Sequence, residues 1–188
     1  LPKENHYTFY KNIYAYMNIL MVIICSFLIA GARILAFFLY ANDFYEAWRF
    51  TPFLLLSNVI NTASGFCGSI LSVKKDSKTM ARSAIWGIVV NIVLNVVLVI
   101  PLGAEGAAIA TAISSYIIFW VRVRKVSHWC GSTNLIISHL SWILLVFQGI
   151  LVIITENYLI QVCCITLLLF LYHERIGDLI NSWRMRAR

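Results

Sequence analysis

A chain of 188 residues with 61% hydrophobic and 12% charged side chains cannot hide its apolar surface in a soluble fold, where the charged share is usually about 25%. A bilayer can take that surface. The formal net charge of +7 lies in short segments beside apolar stretches, which argues against a nucleic-acid partner and for anionic inner-leaflet lipid.

Residues 1–12 are polar and aromatic and carry no leader pattern of basic, apolar and small-residue regions. Opening on Leu1, they are expected of a cytoplasmic loop entering a helix, in a fragment, a shortened chain or one with an unusual start. The first apolar span then runs Ile13–Tyr40 and contains Arg33, about two helical turns before Tyr40. A guanidinium at the bilayer centre costs about 2.5–3.5 kcal/mol on insertion scales. Arg33 therefore either snorkels to the outer interface or faces a watery cavity, where its planar fork suits a phosphate or carboxylate. Ser26 and Ala30 precede it at helical spacing, as an interior face requires.

Asn42 or Asp43 is expected to cap the second span, Phe50–Val73, with Phe44, Tyr45 and Trp48 in an outer aromatic belt. Within it Ser57, Asn61, Ser64, Gly68 and Ser72 recur at three to four residues, with Asn58 and Gly65 beside them. The third span, Ala84–Pro101, carries Ser83, Gly87, Asn91 and Asn95 on one face, and Pro101 to Gly103 ends it. The fourth, Gly103–Val121, shows a small-residue face of Gly103, Ala107, Ala110 and Ser114, flanked by Gly106 and Thr111. Such stripes either pack helices closely or line a polar path. Asn58, Asn61, Asn91 and Asn95, with Arg33, are the candidate path residues.

The fifth and sixth spans, Leu135–Thr155 and Tyr158–Tyr172, offer Ser138, Ser141, Gln148, Gln161 and Thr166 among Leu, Ile and Val, and read as lipid-facing helices at the rim. Glu156 and Asn157 are available to cap the last. Trp120, Trp129, Tyr172 and Trp183 are expected at the inner interface. Every span reads as helix, because open sheet edges cannot be satisfied in lipid. The expected fold is thus all-α: one polytopic transmembrane bundle over 1–188, of about six spans.

Charge orients it. Lys3 and Lys11, then Lys74, Lys75, Lys78 and Arg82, then Arg122, Arg124 and Lys125, then Arg175, Arg184, Arg186 and Arg188 fall on alternate connections. The intervening ones hold Asp43, Glu46, Glu105 and Glu156, with Arg49 as their cation. The positive-inside rule then puts both termini in the cytoplasm. The five cysteines form no C-x-x-C, and His6, His128, His139 and His173 are scattered and read as interfacial, so no metal or other cofactor is expected. Apart from Glu105 at the start of the fourth span, no span holds Asp or Glu, and no catalytic grouping shares a plausible location, so the chain does not read as an enzyme.

The stretch Tyr45–Val126 resembles the C-terminal half of the polysaccharide flippases, the O-antigen and capsule repeat-unit translocases of the multidrug/oligosaccharidyl-lipid/polysaccharide exporter superfamily. The resemblance lies in an ordered set: a helix ending in a short basic loop, the N-I-x-L-N-like core Asn91 to Asn95, Pro101, and the G-x-x-G-A-A-x-A-T turn Gly103 to Thr111. It implies a bacterial inner-membrane carrier of two pseudo-symmetric bundles that flips an undecaprenyl-diphosphate-linked oligosaccharide. Residues 13–126 would be second-bundle helices and 135–172 two trailing helices, with the first bundle missing. Its implied partners are the lipid-linked oligosaccharide, membrane lipid, and polysaccharide polymerase and export machinery. Its cavity is typically cationic for anionic substrates, which gives Arg33 a role by analogy. The rival readings are a drug or toxin exporter of the same superfamily and a non-functional C-terminal remnant. A membrane polysaccharide polymerase would need a larger external segment than these connections provide.

Overall fold

The computed structural model describes residues 3–39, 42–155 and 158–186. It is all-helical: α1 (Lys3–Ala30), α2 (Ala32–Leu39), a 3-10 helix (Asn42–Arg49), α3 (Thr51–Val73), α4 (Ser77–Cys130), α5 (Ser132–Ile154) and α6 (Tyr158–Arg186). Four helices are long and apolar enough to cross a membrane, and α6 adds a shorter apolar stretch, Tyr158–His173.

The helix α4 is in effect two. At Gly103 the backbone turns to φ 56°, ψ −131°, a conformation glycine adopts without steric penalty, two residues after Pro101 removes a helical N–H. The limbs 77–102 and 104–130 fold back on each other as a hairpin. The third and fourth expected spans are these limbs. Glycine sets their closeness. A Cβ on Gly106 would collide with the backbone carbonyl of Leu98, and one on Gly87 with the Ile118 side chain. Backbone cannot yield as a side-chain tip can. Gly106→Ala is therefore expected to destabilise by about 1–3 kcal/mol, the usual range for overpacking, and Gly87→Ala by less. Thermal unfolding in detergent checks the order.

The first expected span divides at Gly31 into α1 and α2, although Gly31 N–H still donates to Phe27 and Leu35 N–H to Gly31. Neither Asn42 nor Asp43 caps α3. The 3-10 helix intervenes, and α3 starts at Thr51 with Pro52 in its first turn and no side-chain cap. The start of α4 does have a cap: Asp76 accepts from the Thr79 hydroxyl at 2.7 Å and the Thr79 N–H at 3.1 Å. Those two bonds, the hydroxyl's first, hold the Asp76 carboxyl below its usual range. The caps expected of Glu156 and Asn157 lie outside the described residues.

The helix α5 is not a rim helix. Ser138, Ser141 and Gln148 are all buried against α1 and α6. Gln148 accepts from Ser26 Oγ at 2.7 Å and donates to the Ser26 carbonyl at 3.0 Å. Asn18 donates to Tyr172 Oη at 2.8 Å, and that hydroxyl donates to Ser141 at 2.9 Å. Tyr172 is thus a core residue rather than an interfacial one. His139 packs among Tyr116, Phe119 and Trp142. These polar links tie α1, α5 and α6 together, and α3 with its hairpin packs on their flank.

The bundle collects charge by end. Lys74 lies 4.9 Å over the Trp129 ring, Tyr10 meets Trp129 edge-on, Asn134 donates to the Lys11 carbonyl, and Arg175 donates to Asn134. These contacts bring the basic ends of α1, α3, α4, α5 and α6 together. At the opposite end Arg49 pairs with Glu105 at 2.9 Å, joining the 3-10 helix to the hairpin tip.

Candidate functional site

The polar stripe of α3 divides between two faces. Ser57, Ser64 and Gly68 point inward and are buried. Leu54, Asn58, Asn61, Gly65, Ser69 and Ser72 form an exposed line along the helix, at spacings of three and four. Ser69 returns its hydroxyl to the Gly65 carbonyl, and Ser72 reaches Met80. The amides of Asn58 and Asn61 have no hydrogen-bond partner among the described residues. An amide turned to hydrocarbon without a partner costs several kcal/mol, so this face suits water or another polar helix.

Beside it sits a cation. Arg122, on the second limb of α4, donates through Nε to Ser83 Oγ at 2.9 Å and through Nη1 to the Ser64 carbonyl at 3.2 Å and Ser64 Oγ at 3.3 Å. Its guanidinium lies 3.2 Å from where a Gly68 Cβ would stand, so the glycine opens the space it fills. Arg122 thus joins α3 to both limbs of the hairpin. The charge pattern groups it with Arg124 and Lys125 as a connecting-segment cation. The signal that singles it out is its distance from Gly103, nearly equal to that of Ser83 on the other limb. Arg124, two residues on, turns outward and stacks 3.4 Å over Trp120.

Asn91 and Asn95 face the seam of the hairpin. Asn91 donates to Ser114 Oγ at 3.2 Å, and the Asn95 amide donates to the Asn91 carbonyl at 2.8 Å and its Oδ1 at 3.0 Å. Asn91 therefore ties the limbs together, and Asn95 braces it from the same limb. Arg33 has a different neighbourhood from Asn58, Asn61 or Asn95. It donates to the Val152 carbonyl on α5 at 3.1 Å and lies 4.3 Å over the Trp48 ring. The structure thus pairs Asn91 with Asn95, aligns Asn58 with Asn61, and sets Arg33 near the Arg49–Glu105 end.

Comparison with protein-family models, with curated proteins and with solved structures finds no match.

Proposed function

We propose that this chain is the C-terminal part of a multi-pass flippase of the bacterial inner membrane, which moves lipid-linked oligosaccharide repeat units across the bilayer. The observation that supports this reading is the exposed polar line on α3, with Arg122 beside it. A self-contained membrane bundle turns such a face inward. Here it faces out, where a second bundle would leave a hydrated path between the two. Asn58 and Asn61 then offer amide donors and acceptors to sugar hydroxyls. Arg122 supplies positive potential beside them. Arg33 lies at the outer mouth and meets an anionic group there, while Asn91 and Asn95 hold the hairpin. The implied partners are the lipid-linked oligosaccharide and, beyond it, the polymerase and export machinery.

Reconstituting the intact carrier, with its first bundle, in vesicles holding a fluorescent lipid-linked oligosaccharide tests the reading. Movement of the label between leaflets is expected. Export of small cationic drugs with no movement of the lipid would select the drug-exporter alternative.

In this reading the basic end lies in the cytoplasm. Single cysteines at Lys75 and Lys125 should be labelled only from the cytoplasmic side, and one at Glu105 only from outside. Labelling at Lys75 from the periplasm would reverse the topology.

A further inference from the structure

At the basic end, the start of α1, the end of α4 and the start of α5 converge around an open cavity of about 780 Å³. Its wall carries Lys11 and His128 together with the hydroxyl residues Tyr7, Thr8, Ser127 and Ser132. Lys11 is exposed and makes no ion pair among the described residues. Its stem lies across Gly131, with Cγ 3.3 Å and Cδ 3.4 Å from where a Cβ would stand, so the glycine lets it bend over the cavity. His128 stacks on Trp129, and Tyr7 packs 4.7 Å from His128 and 4.3 Å from Trp129. Beside the cavity, Asn134 donates to the Lys11 carbonyl at 3.0 Å and accepts from Arg175 at 3.1 Å.

We infer that this cavity binds a phosphate group, as the headgroup of an anionic phospholipid or as a free phosphate ester. Four features converge on that chemistry. The first is an ammonium without a counter-ion among the described residues, on a wall shared with an imidazole. The second is a ring of hydroxyl donors, which suit a tetrahedral oxyanion with several acceptor oxygens. The third is the first turn of α5, which has no side-chain cap and adds N–H groups to donors already present. The fourth is the aromatic pair Tyr7 and Trp129, a residue combination that sits at headgroup depth. Lys75, Lys78, Arg82 and Lys125, at the same end, do not line this cavity, and Arg124 is taken by Trp120. The site needs neither the α3 face nor the transport reading, and it stands if either fails.

Native mass spectrometry of the chain, released from micelles holding equal phosphatidylglycerol and phosphatidylcholine, tests it. One phosphatidylglycerol should be retained in preference. Lys11→Gln should lower that retained fraction about tenfold, while Lys11→Arg largely restores it. Lys125→Gln, at the same end but outside the cavity, should leave it unchanged. Ser132→Pro provides a second variant that the fold tolerates, because proline suits the first helical position and Gly131 ψ is 131°. It removes a hydroxyl and an N–H and should lower retention severalfold. Inorganic phosphate at millimolar concentration displacing the lipid would identify a free phosphate ester as the occupant, and lipid that resists it would identify the headgroup. Equal retention of the two lipids, or equal losses in Lys11→Gln and Lys125→Gln, would reduce the site to diffuse surface charge and overturn the inference.

Discussion

Replacing Arg122 by Ala is expected to destabilise the bundle more than replacing any other described cation. The guanidinium holds three helical segments at once through Ser83 and Ser64. Hydrogen bonds involving a charged group contribute about 1.5–3 kcal/mol each. Arg122 is partly exposed, so the lower part of that range applies to the set. Ala also leaves the buried Ser83 hydroxyl with its Met80 carbonyl bond alone and opens a hole beside Gly68. Arg122→Lys should recover part of the loss. A single ammonium keeps the charge but cannot match both the Nε and Nη1 directions. The unfolding midpoint in detergent, followed by tryptophan fluorescence, should rank wild type above Lys and Lys above Ala. Two variants as stable as wild type would show that the seam is held by glycine packing alone.

That prediction could not be made from the sequence, and the reason is geometric. Local periodicity reports which residues share one helix face, and it found Ser83, Gly87, Asn91 and Asn95 correctly as a face. Pro101 and Gly103 also marked the break between the third and fourth spans, and among the described residues no other proline lies so close to a glycine of positive φ. What periodicity omits is the partner. Ser26 and Gln148 are 122 positions apart, and Asn18 and Tyr172 are 154 apart. Without those partners, the polar residues of α5 look isolated among Leu and Ile, and the helix reads as rim. Arg33 shows the same limit. Its place near the end of the first span was legible, but its stacking on Trp48 depends on the 3-10 helix folding back. On α3 the polar residues were legible as one broad set. Only the structure divides them into Ser57, Ser64 and Gly68 inside and Asn58, Asn61 and Ser72 outside.

That division sets up the second large effect, in the intact carrier with both bundles present. Asn58→Leu with Asn61→Leu is expected to reduce polysaccharide export per molecule by an order of magnitude or more. Membrane insertion should not suffer, because leucine enters a bilayer more readily than an amide. Nor should the α3 core suffer, because neither amide is engaged by the described residues. Loss of function with unchanged abundance would thus place the defect on the outward face. Asn91→Leu should behave in the opposite way. It breaks the bond to Ser114 and the brace to Asn95 inside the hairpin, so it should lower stability and abundance first. Surface polysaccharide normalised to membrane protein level separates the two classes. If the Asn58 and Asn61 double variant exports normally per molecule, the exposed line of α3 packs against a partner helix and is not part of the substrate path.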